Sequence, residues 1–565
     1  MKKILVQFIP LTLCLVTFLS FSTSQAATNQ PQIIHQIYEL VDDRKLDLPV
    51  FEKALASDDR SLVLQTIIGL GRIGGEQAVQ LALPLLSHAD ESIRKHAAFA
   101  IGISGVKNAS SHLWQRLALE NSDQVKHEIY LGLDNLGQDK LVSMAMERLE
   151  KEKSANARAS MFHGLGIAMV FHRDLKDDYD DIDFDDLLKL FAVGDDNAAK
   201  VGFFIDRVPG VAKLIDSDDV LPLTKRKHSP LSAIYLSRLI GKISQEDSSN
   251  NRELLAWLIE QSEKGTLGEK IEALRGMRHM MKFPQSLVQL GKMQASENPI
   301  IAQAALNVLA TSDNNSMNIV SLLKGKLKSQ HETLVVEAMR GLIKRQNKDQ
   351  MSWVVKLFQH PSTYVKIQLM SLLREKSETD YENVIKFFTK DPDQRVSVQA
   401  NRLLSKAEEA PETIAKSPSF AEASQVIGKV VTLKTSVGNI AFELLPDAPY
   451  TAWHFVNNAK NGVFNNNYFS RVIGNFVAQG GDTIGDRTGS SGQMIREEIS
   501  FLEAEPMTVA MATAGKDTGT SQFYINTARN LHLDRNYTIF GRIVSGYENV
   551  LNMTNGTVIY SVNTN

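Results

Sequence analysis

The sequence predicts a multidomain fold, an all-α solenoid over most of the chain followed by a smaller antiparallel β domain. Three observations predict it. Apolar helix-opening positions recur about every 31 residues between residues 30 and 410. At Val430 the texture changes from helical periodicity to alternation of apolar and polar residues. Between the two, residues 411–427 are rich in Pro, Ser, Ala and Glu without a sustained apolar period, which reads as a linker. At 565 residues the chain is too long for one ordinary domain, and its balance of 43% hydrophobic and 22% charged residues is that of a globular protein. The expected divisions are a signal at 1–26, the solenoid at 27–410, the linker at 411–427 and the β domain at 428–565.

The opening residues read as a secretory signal. Lys2 and Lys3 supply the positive start, Ile4 to Phe21 the apolar stretch, and Ser24-Gln-Ala26 a small-residue cleavage site before Ala27. The alternative is an inner-membrane anchor formed by an uncleaved signal; Gln7 and Pro10 interrupt the run and favour cleavage. Cys14, the sole cysteine, lies inside that stretch, and the large Leu13 before it argues against lipid modification. The mature chain then holds no disulfide and no reactive thiol. Losing Lys2 and Lys3 moves the formal charge from −3 to −5, so no basic field points to nucleic acid as a partner. No later segment has the roughly 20 apolar residues that a bilayer span needs. A soluble periplasmic protein is expected, without stable membrane insertion after cleavage.

In the α region Leu62, Ile93, Val125 and Ala157 are spaced 31, 32 and 32 residues apart. Ile271, Ile300, Leu334, Val365 and Val396 repeat the pattern at 29, 34, 31 and 31. Each opens a helix with an apolar stripe, such as Val125, Ile129 and Leu133. An acid, Ser or Asn just before it, as at Asp59, Glu91, Asp123 and Asn156, can cap the orphan amides of the first turn. A helix pair of this length cannot bury its apolar face alone, so neighbours must stack. The degenerate pattern resembles short HEAT-like repeats. It fades between about residues 170 and 265. There Asp174 to Asp186 holds eight aspartates in thirteen residues. Clustered carboxylates suit calcium, but the run lacks the central Gly and closing Glu of an EF-hand loop and reads as a solvated acidic segment. Lys225-Arg-Lys227 reads as an exposed turn.

From Val430 a hairpin is expected: Val431-Thr-Leu-Lys alternates, Ser436-Val-Gly-Asn439 turns, and Ile440-Ala-Phe-Glu-Leu444 alternates again. Pro449 to Ala459 then reads as a helix with Ala452, Phe455, Val456 and Ala459 on one face. The most informative stretch follows, Tyr468-Phe-Ser-Arg-Val-Ile-Gly-Asn-Phe-Val-Ala-Gln-Gly-Gly-Asp482, with Met511-Ala-Thr-Ala-Gly515 and Ser521-Gln-Phe-Tyr-Ile525 after it. In order and spacing these blocks resemble the core of the cyclophilin family of peptidyl-prolyl isomerases, over about residues 430–560. The resemblance implies a closed eight-stranded antiparallel barrel flanked by two helices, one of them 449–459.

The reaction it implies explains the residue types. An X–Pro bond isomerises over a barrier of roughly 18–20 kcal/mol set by amide resonance. No bond is broken, so neither cofactor nor metal is called for. The enzyme has to bind the twisted amide better than either planar form. An apolar pocket for the proline ring and a fixed cation beside the twisting nitrogen suffice, and a guanidinium is permanently charged and a rigid multiple donor. By motif position Arg471 matches the family's catalytic arginine. Gln479 matches the glutamine that orients it, and Phe476, Val477, Tyr524 and Leu533 match the wall of the proline pocket. Ala512, Thr513 and Gln522 match the groove for substrate backbone.

There are departures. Ser470 stands where histidine is usual, Tyr524 for a common phenylalanine, His532 where many members carry tryptophan, and Tyr537 where many carry histidine. None removes the arginine or the glutamine. The His532 change weakens the expectation of tight cyclosporin binding, and a structural or groove-lining histidine is the expected role. The glycines from Gly480 to Gly492 form no GxxxxGK[ST] phosphate loop, and there is no HExxH motif or Cys/His cluster among the 13 histidines. The expected function is isomerisation of X–Pro bonds in exported polypeptides, assisting their folding, with the solenoid binding clients or a protein partner. The competing reading is a non-enzymatic scaffold whose barrel only holds proline-containing peptides.

Overall fold

The computed structural model describes residues 30–172, 182–245, 250–345, 350–374, 379–405 and 412–564. The expected signal, Cys14 and Asp174 to Asp181 of the acidic run lie outside the described residues.

The repeat positions are the buried openings of a stack of helices. Leu62, Val125, Ala157, Ile271, Val365 and Val396 are all at most 2% exposed. Each helix starts where a short polar side chain takes the first free amides. Asp59 accepts from Ser61 and Leu62, Asp90 from Ser92 and Ile93, Ser122 from Val125, and Ser154 from Ala157. Asp90, Ser122 and Ser154 do this in place of Glu91, Asp123 and Asn156, because the cap must be the last residue with extended backbone.

Helices Arg60–Ile73, Glu91–Ile103, Asp123–Leu136, Ala155–Phe171, Asp196–Arg207 and Pro230–Ile243 each pack on the next. The series continues through Leu267–Gly276, Pro299–Thr311, Glu332–Lys344, Thr363–Arg374 and Gln394–Ser405. Shorter helices pack beside these, so the helical region is two helices deep. Where Glu91–Ile103 crosses Asp123–Leu136, a side-chain carbon on Gly102 would fall 2.4 Å from the Cα of Gly132, so glycine sets the crossing distance.

The stack continues through the region where the repeat fades. Asp195 caps Asp196–Arg207 and Ser229 caps Pro230–Ile243, with 3-10 turns at Val211–Lys213 and Leu221–Lys225 stretching the spacing. Asp183, from the acidic run, caps Phe184–Phe191. Lys225, Arg226 and Lys227 are exposed.

The β domain opens with the expected hairpin: Val430–Thr435 pairs with Gly438–Leu444 from Val430↔Glu443 to Thr435↔Gly438. The expected helix is present as Pro449–Lys460. The closed eight-stranded barrel is not. A nine-stranded antiparallel sheet runs in the order Asn467–Tyr468, Val558–Thr564, Val430–Thr435, Gly438–Leu444, Ile539–Ser545, Thr508–Met511, Phe523–Asn526, Val477–Gly480, Arg471–Ile473. It curls through 298°. Its two edge strands are neighbours in the chain, separated only by Phe469 and Ser470. Covalent connection, rather than a row of hydrogen bonds, therefore joins the edges. Phe442, Phe455, Phe464, Phe469, Phe523 and Phe540 fill the interior at no more than 1% exposure.

Helices and sheet are docked along much of the stack. Arg72 donates to the carbonyls of Ile499, Asp447 and Glu498. Arg535 makes a buried two-pronged pair with Glu128 at 2.8 and 3.2 Å. His163 Nε2 lies 2.9 Å from the carbonyl of Leu531. Ile68 and Phe99 form one apolar cluster with Ile499 and Phe501. Toward the other end Gln368 donates to Gly485, Gln399 to Asp486 and Arg395 to the carbonyl of Asn466. The segment read as a linker is pinned at both ends. Thr413–Ile414 pairs in parallel with Gln493–Met494, and Phe420 stacks on Tyr38 at 4.0 Å. Helices and sheet thus form one docked body.

Candidate functional site

Strand register builds the site. Arg471 lies opposite Gln479, Gln479 opposite Tyr524, and Tyr524 opposite Ala510. Directly opposed residues of neighbouring strands share a face of the sheet, so the motif residues form one row. Arg471 Nη1 donates to Gln479 Oε1 at 3.3 Å, and the guanidinium lies 5.3 Å from the Phe476 ring centroid. Gln479 Nε2 donates to Gln522 Oε1 at 2.9 Å, and Gln522 Nε2 donates to the carbonyl of Gly489 at 2.8 Å. This chain of amides orients the glutamine oxygen toward the arginine. Burial, then the neighbouring Arg487, lower the arginine's pKa from its usual value; an arginine nonetheless stays charged.

Beside the arginine is an apolar cluster. Val477, Tyr524 and Leu533 are buried in it, with Phe476, Ala512 and Tyr537 packed half-buried on them. The Tyr537 and Tyr524 rings meet edge to face at 5.7 Å and 84°. The Ala512 amide donates to the carbonyl of Gln522 at 2.9 Å, leaving Thr513 half-buried next in line. The residues singled out from the sequence are thus brought together. Burial raises the Tyr524 phenol well above its ordinary pKa, and its hydroxyl has no hydrogen-bond partner among the described residues.

His532 stacks on Phe476 at 5.2 Å and 24°, and its ring centroid lies 6.5 Å from that of Phe203, in the helical stack. Burial, then Arg207 and Arg238, push its pKa down to about 3, so it is a neutral packing ring at neutral pH.

Other residues that shape the site were not singled out. The loop between Arg471 and Phe476 is held by the helices. A side-chain carbon on Gly474 would fall 2.5 Å from Ile300 and 2.9 Å from Ile271. Asn475, in left-handed backbone at φ +56, donates to Glu272 at 3.1 Å. Glycine followed by asparagine was a legible turn signal; nothing in the sequence pointed to Glu272 or Phe203. Arg487, on the glycine-rich loop, lines a cavity of about 300 Å³ together with Arg471. A second cavity, about 610 Å³, has Phe476 and His532 on one side and the helices on the other. Among the described residues no group of three or more His, Cys, Asp or Glu is placed to hold a metal.

Fold and site define an antiparallel β domain that sets one arginine beside an apolar cluster, held against a helical repeat. Residues 430–564 match the family described as cyclophilin type peptidyl-prolyl cis-trans isomerase/CLD, and residues 48–134 match HEAT repeats. A peptidyl-prolyl cis-trans isomerase of Helicobacter pylori is 42% identical over 136 residues, 23% of this chain and 83% of that protein. Peptidyl-prolyl cis-trans isomerase B of Bacillus subtilis is 43% identical over 129 residues, 22% of this chain and 88% of that protein. For isomerase 9 of Schizosaccharomyces pombe, 37% identical, the match spans only 22% of that longer protein. A solved cyclophilin type isomerase of Cryptosporidium parvum is 25% identical and covers 24% of this chain and 97% of its own, with a TM-score of 0.24. The chain belongs to the cyclophilin-type peptidyl-prolyl cis-trans isomerase family, and it is an isomerase of that type.

Proposed function

We propose that Arg471 is the cation that stabilises the twisted X–Pro amide, with the proline ring seated against Phe476, Val477, Tyr524 and Leu533. The observation that carries this is the guanidinium fixed by Gln479 and poised over Phe476, beside the apolar cluster of Val477, Tyr524 and Leu533. A twisted imide nitrogen regains a lone pair that a planar amide lacks, and a fixed donor there favours the transition state over both ground states. Gln479 and Gln522 hold the donor, and Ala512 and Thr513 border the path of the substrate backbone. With residues 1–26 read as an export signal, the substrates are exported polypeptides that fold with the enzyme's help. The helices lie against the catalytic face, so their role is to bound the approach of these clients.

The test is isomer exchange of an X–Pro peptide, followed by NMR on the full chain. Arg471→Ala is expected to slow exchange about 10²–10³-fold, with peptide affinity, measured separately, falling far less. Arg471→Lys restores little, because an ammonium lacks the planar fork. Wild-type exchange in Arg471→Ala would remove Arg471 from the mechanism. N-terminal sequencing of the mature protein is expected to begin at Ala27.

A further inference from the structure

We propose that the space between the helices and the catalytic face selects acidic polypeptides, in which Asp or Glu flanks the proline. This rests on the isomerase reading above and adds the substrate class to it. The two cavities adjoin at Arg275 and Ile473, which line both. Phe476 and His532, at the apolar cluster, face the larger, and Arg471 faces the smaller. An extended chain with its proline against the cluster advances about 3.3 Å per residue, so its next few side chains on either side pass through these cavities.

Their walls are cationic. Eight Arg and Lys side chains line them against three carboxylates, in a chain whose overall formal charge is −3; one of the eight, Arg529, is already paired with Glu503, Glu505 and Asp534, which leaves seven. The carboxylates are already shared. Glu272 accepts from Arg238 at 3.0 Å and from Arg275 at 2.6 Å. Asp206 lies 2.9 Å from Lys242 and 3.6 Å from Arg207. Arg487 has no carboxylate within ion-pair distance among the described residues, while sharing a cavity with Arg471. Helices and sheet both contribute cations, so the excess belongs to the docked body. Such a cleft between low-dielectric walls concentrates positive potential and draws in anionic chains.

The experiment uses the full chain and three peptides with one X–Pro bond each, flanked by two Glu, by neutral residues, or by two Lys. Exchange and affinity are both measured, in low and in high salt. The Glu peptide is expected to exceed the neutral one about tenfold in kcat/KM at low salt, the Lys peptide to fall below it, and the gap to shrink in high salt. Arg487→Gln and Lys242→Gln are each expected to cut the Glu-to-neutral ratio about threefold. Equal kcat/KM for all three peptides, or a preference for Lys, overturns the proposal while leaving the isomerase reading intact. If none exchanges, the Arg471 reading fails, and the three affinities alone then decide whether acidic flanks are selected. A short single-stranded DNA that binds more tightly than the Glu peptide overturns the assignment to polypeptides.

Discussion

At the scale of residues, the site depends on which polar groups are paired and which are not. His532 is held neutral by burial and by Arg207 and Arg238, with its pKa at about 3. Catalysis that relies on a permanent cation and no acid or base should be insensitive to histidine titration. The exchange rate is therefore expected to stay flat between about pH 5 and 8, the range in which an ordinary histidine changes charge. A bell-shaped profile measured by NMR exchange would mean that a titrating group takes part. Tyr524 is the opposite case, a buried hydroxyl without a partner among the described residues. Removing an unpaired buried hydroxyl relieves its desolvation cost, so Tyr524→Phe is expected to raise unfolding free energy by about 1–2 kcal/mol in urea melts. A loss of stability of similar size would show that the hydroxyl is satisfied. The motif residues themselves were legible only through the family resemblance, and strand register explains why their spacings become contacts, as in Arg471↔Gln479 and Gln479↔Tyr524. The surroundings of His532 were not, since Phe203 and Arg207 lie more than three hundred residues away in the chain.

At the scale of elements, helix Leu267–Gly276 holds the loop after Arg471 through the bond from Asn475 to Glu272. Burial raises the Glu272 pKa, but Arg238 and Arg275 outweigh it and bring it to about 2, below the ordinary 4.5. A folded-state pKa below the unfolded one contributes stability that is complete above about pH 4.5 and is lost as pH falls toward 2. The size is about 3 kcal/mol for this shift. Glu272→Gln should lower stability at neutral pH and flatten the acid limb of the stability curve relative to wild type. Identical acid limbs in urea melts of the two proteins would remove Glu272 from this role. The helix starts were readable as short polar residues ahead of apolar ones. The caps themselves shifted by one or two residues because backbone conformation, not residue type alone, selects Asp90 over Glu91 and Ser122 over Asp123.

At the scale of the whole molecule, helices and sheet share interfaces that look like surface charge when read along the chain. Glu128 and Arg535 are 407 residues apart, and neither carries a local sign of its partner. Their side chains are 2% and 3% exposed. Arg535→Ala leaves a buried carboxylate unpaired and is expected to destabilise the docked body by about 3–5 kcal/mol. Cleavage near Ser417 is expected to leave the two pieces associated, with one main unfolding transition by calorimetry. Two well-separated transitions that match those of the isolated pieces would mean that the docking contributes little. For residues 411–427 composition reports the absence of an apolar period, not the backbone pairing of Thr413–Ile414 or the stacking of Phe420 on Tyr38.

The docking of sheet against helices also bears on biosynthesis. A ribosome delivers the helices before residues 430–564, and domains tend to fold in that order. The face on which the sheet will sit must therefore wait in water while the rest is made. Apart from the apolar patch of Ile68 and Phe99, it is suited to waiting: Arg72, Glu128, His163 and Glu272 offer charged or polar groups that water can serve until Ile499, Arg535, Leu531 and Asn475 arrive. The isomerase domain then acts as the keystone of its own cradle, and the cavities between helices and sheet come into being only with the final step of assembly.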